Sequence, residues 1–452
     1  MTTFAPPRGT TASDLRMSEI LAALSYALDI TEGQPEGHAV RTCLIGMRIA
    51  QGAALPPAER GPLFYALLLK DLGCSSNAAR LCALFSADDR RLKRNHKLTD
   101  WSAPLPSLAY ALRHAAPGAS PLARVLRVAK LGATAQGAGR EMAQTRCDRG
   151  AEIASRLGFT PATQDAIRAL DEHWDGHGLP LGLRGEAIPL LGRIVGLAQT
   201  VEVFASTFGV DAAMAIALER RGSWFDPLLV DVLRSFRRDR GFWASVFGPD
   251  PRAGLPAFEP EEQVLMADEA QLDVIAEAFA RVIDAKSPYT YQHSERVAEL
   301  AEGIGEVRGF RPDDLRTLRR AALLHDIGKL GVSNRILDKP GRLTENEMEQ
   351  VRQHPHFTQR ILERVAAFDG IVEIASSHHE RLDGRGYHRG VDGSQLSPLS
   401  RALVVADIAE VLLADRPYRA GLPWDEVLRM LKKDAGTAVC VESVAALEAS
   451  RA

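Results

Sequence analysis

His325 and Asp326 stand side by side at the end of the apolar run Ala321-Ala322-Leu323-Leu324, and Lys329 follows one turn later. An imidazole beside a carboxylate offers a divalent metal two donors, and an ammonium at that spacing offers a phosphate a cation. More donors recur around them: His293, His354, the pair His378-His379, and Asp407 within Leu403-Val404-Val405-Ala406-Asp407-Ile408-Ala409. Five imidazoles and two carboxylates exceed what one tetrahedral zinc takes. They suit two octahedral iron or manganese ions that share a bridge, and Asp326 is placed to be that bridge. On a helix, His378 and His379 would diverge by about 100° and serve different ions. Without a cation, so many titratable groups converging on a helical core would be costly to desolvate. The chemistry implied is metal-assisted hydrolysis of a phosphoester. Isolated His356 and His388 fit solvated or capping roles and are left out of the set.

The elements that carry these residues are helical. The chain has 452 residues, 46% of them hydrophobic, enough for two or three domains with real cores. Lys plus Arg number 55 against 58 Asp plus Glu, a net charge of only -3, so no global field draws the chain to nucleic acid or anionic membrane. The cysteines Cys43, Cys74, Cys82, Cys147 and Cys440 are odd in number, scattered and without a CxxC pair, which fits a reducing cytoplasm. No charged start leads an apolar run, and no segment nears about 18 apolar residues, so neither export nor a membrane span is expected.

A polar leader runs over residues 1–13. Leu15, Ile20, Leu21, Leu24 and Leu28 then mark a first helix, and His38 opens the next. Helix follows helix with almost no alternating pattern, which predicts an all-α fold. The basic stretch Arg90, Arg91, Lys93, Arg94 and Lys97 reads as a solvated face, since no aromatics interleave with it.

The two halves repeat. Asp71 lies 33 residues after His38, as Asp326 does after His293, an offset of 255. Trp174-Asp175-Gly176-His177-Gly178 answers Leu382-Asp383-Gly384-Arg385-Gly386 at an offset of 208, as Arg193 answers Arg401. The first copy therefore carries about 47 extra residues within 75–146. Two tandem helical domains follow: residues 14–245 with an insertion, a Pro/Gly-rich linker over 246–262, and residues 263–452.

The motifs His325-Asp326-Ile327-Gly328-Lys329, His378-His379-Glu380-Arg381-Leu382-Asp383-Gly384-Arg385-Gly386-Tyr387, and Asp407 followed by Asp415-Arg416-Pro417-Tyr418-Arg419 resemble the HD-GYP branch of the HD phosphohydrolase superfamily. The resemblance spans roughly residues 265 to 440. It implies a helical HD core, a two- or three-metal centre, and hydrolysis of cyclic di-GMP to linear pGpG or GMP; some relatives prefer the mixed cyclic GMP-AMP dinucleotide. Position by position, it implies metal ligation by His293, His325, Asp326, His354, His378, His379 and Asp407. It further implies contact of Lys329 with the scissile phosphate and of Arg416 and Arg419 with the dinucleotide. Asp383, Gly384, Gly386 and Tyr387 form the motif loop, whose glycines would let backbone approach the ligand. The expected mechanism is in-line attack by a metal-bridging hydroxide, with charge stabilised by the metals and Lys329.

Three positions depart from the family pattern. His388 replaces the signature proline after Tyr387, Thr358 stands where a glycine is usual, and Tyr289 stands where trinuclear relatives place a glutamate, which favours two metals. The first copy departs further. It retains His38 and Asp71, but Lys70, Cys74, Arg146, Leu170, Asp171 and Gln199 stand where the second has His325, Lys329, His354, His378, His379 and Asp407. An ammonium and a guanidinium in place of imidazoles repel a divalent cation, so this copy should hold no catalytic metal. The enzyme reading stands against two others: a cyclic-dinucleotide receptor or interaction protein that has lost turnover, and an HD enzyme acting on another phosphoester. A diguanylate cyclase or a second copy of the chain are the candidate protein partners.

Overall fold

In the computed structural model the described residues are 15–101, 103–290, 292–415 and 420–451. They are all-α apart from one short antiparallel pair, Leu15–Arg16 with Met266–Ala267, that joins the start of the first half to the start of the second. Local chemistry sets many helix starts. Proline occupies the first turn of the helices Pro57–Leu69, Pro161–Arg168, Pro312–Leu324 and Pro398–Leu413, where its missing N–H costs nothing. Asp268 with Gln271, and Thr344 with Glu347, form reciprocal capping boxes.

The repeat holds in three dimensions. Helices His38–Gly52, Pro57–Leu69, Pro161–Arg168 and Leu190–Phe208 correspond to His293–Val307, Pro312–Leu324, Asp369–Ser376 and Pro398–Leu413. In both copies the first of these packs on the last and on the second. One buried apolar cluster, with Phe64, Phe279 and Phe368 fully inside it, runs through both halves. Pro251–Ala257, within the stretch that separates the copies, forms a 3-10 helix packed on His38–Gly52 with Leu255 buried.

The insertion folds as helices Ala78–Phe85, Asp89–His96 and Pro104–His114 and the first part of Pro121–Arg156. Its basic stretch is a solvated face only in part: Arg91 and Arg94 are exposed. Asp89, Leu92 and Lys93 are buried, and Lys97 reaches inward to Glu32 and Asp71 at 3.0 and 3.1 Å. Charge density in sequence signalled water, but these ammonium groups have buried carboxylate partners supplied by distant helices.

Candidate metal centre and active site

The helix Pro312–Leu324 ends at His325, Asp326 leaves the helical conformation, and Ile327–Gly331 continue as a 3-10 turn that carries Lys329. Gly328 is what lets a second helix approach this break. A Cβ there would sit 1.9 Å from the His354 carbonyl oxygen. Thr358 ties the same junction: its hydroxyl donates to the His325 carbonyl at 2.8 Å and accepts from the Gly328 N–H at 3.1 Å. A hydroxyl here does work that glycine could not.

The structure brings all seven predicted donors together. His293, His325, Asp326, His354 and His378 are at most 1% exposed, and Asp407 is buried with them. Asp326 divides them. Its Oδ2 lies 3.4 Å from Nε2 of both His293 and His325, and Asp407 Oδ1 lies 3.4 and 3.6 Å from the same two nitrogens. Its Oδ1 lies 3.4 and 3.7 Å from Nε2 of His354 and His378, which are 2.9 Å from each other. His354, His378 and His379 offer donor atoms within 4.8 Å of one another, as do His293, His325 and Asp407. His378 also comes within 4.8 Å of donors on His325 and Asp326. The helix Asp369–Ser376 has already ended, so the helical divergence expected for neighbours does not apply.

The nitrogens that face inward are held there from behind. Nδ1 of His325, His354 and His378 hydrogen-bonds to the carbonyls of Ala322, Val351 and Ala375 at 2.6–2.7 Å. Nδ1 of His293 meets Glu410 at 2.5 Å, and Glu410 also accepts from Arg296 at 2.7 Å. The inward atoms include Nε2 of His293 and His325 and Oδ1 of Asp326, all buried without a hydrogen-bond partner. Orphaned buried donors and acceptors of this kind are costly, and divalent cations would satisfy them. The residues present therefore fit the metals that the chemistry implies.

The charges agree. Burial opposes ionisation of Asp326, but Lys329 and then His325 hold its carboxyl well below the usual range. Asp407 is likewise held low against burial, chiefly by His325. Burial pushes His354 and His378 well below the ordinary imidazole value and His379 down to about 4, leaving them neutral and able to ligate. His293 resists burial and rises to about 9 through Asp326 and Glu410. Lys329 pairs with Asp326 and is 22% exposed.

The motif loop is shaped by its own backbone. Glu380, fully buried, accepts from the N–H groups of Arg389 and Gly390 at 2.7 and 3.2 Å. A Cβ on Gly386 would lie 2.6 Å from the His379 carbonyl oxygen, so packing against the donor pair by itself requires glycine here. Gly384 has φ +70, and Asp383 spends its carboxylate on Arg381 at 2.7 Å and on the Arg385 N–H at 3.1 Å. The Tyr387 ring stacks on His379 with centroids 4.5 Å apart. His388 has φ +96, a conformation closed to proline, and its Nε2 meets Gln359 at 2.7 Å. Arg416 and Arg419 lie outside the described residues.

In the first copy, chain cations stand among the donors. Lys70 Nζ lies 2.9 Å from His38 Nε2 and pairs with Asp71, Lys97 joins Asp71 to Glu32, and Arg146 pairs with Asp171. Glu32, Asp71 and Cys74 come within 4.8 Å of one another, but burial pushes the Cys74 thiol well up, and Lys97 already occupies the two carboxylates. The supports persist: Glu202 holds His38 Nδ1 and accepts from Arg41 at 2.6 Å, as Glu410 does with His293 and Arg296. Glu410 and Glu380 are the functional residues that motif reading did not assign. The repeat signals both, since Glu202 and Glu172 stand at the same offset of 208.

The sequence matches the HD domain family over residues 120–229 and 277–439, once in each half. It is 42% identical over 433 residues, 96% of this chain and 94% of the relative, to 3′3′-cGAMP-specific phosphodiesterase 3 of Vibrio cholerae serotype O1. It is 31% identical to 3′3′-cGAMP-specific phosphodiesterase 1 of that organism, covering 64% of this chain and 70% of the relative. A cyclic di-GMP phosphodiesterase of Pseudomonas aeruginosa is 38% identical, over 32% of this chain and 35% of its own length. Among solved structures, that of a cyclic GMP-AMP-specific phosphodiesterase from V. cholerae superposes with a TM-score of 0.66 at 37% identity, covering 96% of this chain and 97% of the other. No helix among the described residues is long and apolar enough to cross a membrane.

Proposed function

The chain belongs to the HD domain family, in its HD-GYP branch, and from that premise we propose that residues 263–452 hydrolyse a cyclic dinucleotide while residues 14–245 are a degenerate, non-catalytic copy. The observation that carries this is Asp326, which presents one carboxylate oxygen to each of two donor groups, with Nε2 of His293 and His325 and its own Oδ1 buried without hydrogen-bond partners. One ion would be held by His293, His325, Asp407 and Asp326, the other by His354, His378, His379 and Asp326. Nitrogen and oxygen donors without thiolate favour iron or manganese. When bound, the ions supply an activated water and draw off charge from the phosphate.

The chain's own residues do the rest. The backbone carbonyls behind His325, His354 and His378 fix those rings with Nε2 inward, and Glu410 does the same for His293. Lys329, half-buried beside Asp326, meets the scissile phosphate and stabilises charge on a non-bridging oxygen. The stacked Tyr387 and His379 rings form a flat wall on which a nucleobase can rest. The relatives that span most of the chain are named for 3′3′-cGAMP, which supports that substrate over cyclic di-GMP in this reading; hydrolysis of one bridge yields a linear dinucleotide.

The test is a substrate panel of 3′3′-cGAMP, cyclic di-GMP and bis(p-nitrophenyl) phosphate, with protein reconstituted anaerobically with Fe(II) or Mn(II) and products followed by chromatography. Turnover of a dinucleotide that disappears in Asp326→Ala is the expected result. Metal bound without turnover of any of the three would replace the enzyme with a receptor.

A further inference from the structure

The insertion that sets the first copy apart reaches into the second. Asp89, 0% exposed, begins the inserted helix Asp89–His96. Its Oδ1 accepts from the Asn334 backbone N–H at 3.0 Å and from the Ser333 hydroxyl at 3.4 Å. Its Oδ2 lies 3.6 Å from Nζ of Lys286, an ammonium only 2% exposed, and 3.8 Å from Lys93. Lys286 in turn donates to the Leu330 carbonyl at 3.3 Å, and its own carbonyl accepts from the Asn334 side-chain amide at 2.6 Å. Arg90 donates to the Gly331 carbonyl.

These contacts grip Leu330, Gly331, Ser333 and Asn334, the stretch that starts immediately after Lys329, and the segment of Lys286 that leads to His293. The grip answers a local weakness. A 3-10 turn has poorer hydrogen bonds than an α-helix, and the short helix that follows leaves its first N–H groups without internal partners. Asp89 supplies an acceptor there and a counter-charge for Lys286, which would otherwise be buried unpaired. Lys329 itself touches no residue of the insertion in the contacts above, so the insertion reaches it through the backbone.

We propose that Asp89, on the copy without a metal centre, is a positioning residue for the reaction in the other copy: it fixes the turn Leu330–Asn334 and so aims Lys329 at the phosphate. This rests on the role given to Lys329 under Proposed function.

The experiment uses the full, metal-loaded chain. Asp89→Ala, Asp89→Asn, Lys329→Ala and the two double variants are compared by kcat and KM on the best substrate of the panel, by metal per chain, and by amide hydrogen exchange over Leu330–Asn334. Asp89→Ala should lower kcat about tenfold, since small misplacements of a catalytic group are expensive. Metal content should stay unchanged and exchange at Ser333 and Asn334 should rise. In the Lys329→Ala background the same change should alter kcat by less than about twofold, because the group it aims is gone. Asp89→Asn, which keeps an acceptor, should restore part of the rate. An unchanged kcat, or the same tenfold loss without Lys329, overturns the proposal and leaves Asp89 merely structural. If Asp89→Ala fails to fold, the Asp89→Asn cycle with Lys329→Ala decides in the same way. A wild type inert toward the whole panel overturns the phosphodiesterase reading and the proposal with it, whereas an active wild type without coupling overturns the proposal alone.

Discussion

His38 and His293 head equivalent helices, and each is held by a buried glutamate that also binds an arginine, Glu202 with Arg41 and Glu410 with Arg296. The centres in front of them differ. In the second copy His293 faces Asp326, Asp407 and His325 across gaps of 3.4 Å or more with Nε2 unpartnered; in the first, Lys70 Nζ already lies 2.9 Å from His38 Nε2. In the first copy Lys97 pairs with Asp71 and Glu32, and Arg146 with Asp171. The comparison shows one buried glutamate–arginine support kept behind two differently charged centres, because removing a buried charge costs more than re-pairing it.

The sharpest way to break this comparison is to remove the matching aspartates. Asp326→Ala should cut turnover on the order of a thousandfold and release metal. Asp71→Ala should leave metal per folded chain unchanged, while chemical denaturation reads a loss of about 3 kcal/mol from stranding Lys70 and Lys97. Metal lost with Asp71 would mean that the copies are not divided as stated.

A smaller effect tests the shared support. Glu410→Gln should weaken metal binding by about 10–100-fold in chelator competition. Glu202→Gln should leave it untouched, and equal effects from the two would remove the distinction.

The gentlest test is pH, because the two histidines shift in opposite directions in metal-free protein. Burial and then Lys70 lower His38, whereas His293 rises to about 9. His293 therefore adds stability that is fully present below the ordinary value of 6.5 and is lost as pH climbs through about 9. His38 adds stability that is present above 6.5 and lost as pH falls through its lowered value. The stability difference between wild type and His38→Gln, and between wild type and His293→Gln, read from unfolding curves from pH 5 to 9.5, should show these opposite slopes. Metal affinity should also strengthen toward about pH 9 as the proton on His293 is displaced.

The sequence by itself determined the all-α fold, the repeat, and the seven residues that meet in one cluster, because residue type and helical spacing are local and side-chain chemistry is set by residue identity. It also marked Lys70 and Arg146 as incompatible with a metal. Only the tertiary structure decided that His354 and His378 approach one oxygen of Asp326 and His293 the other, and that Lys97 and Asp89 turn inward. Those outcomes depend on partners tens to hundreds of residues away. A basic run reads the same in sequence whether water or a buried carboxylate will meet it, and packing alone supplies the carboxylate.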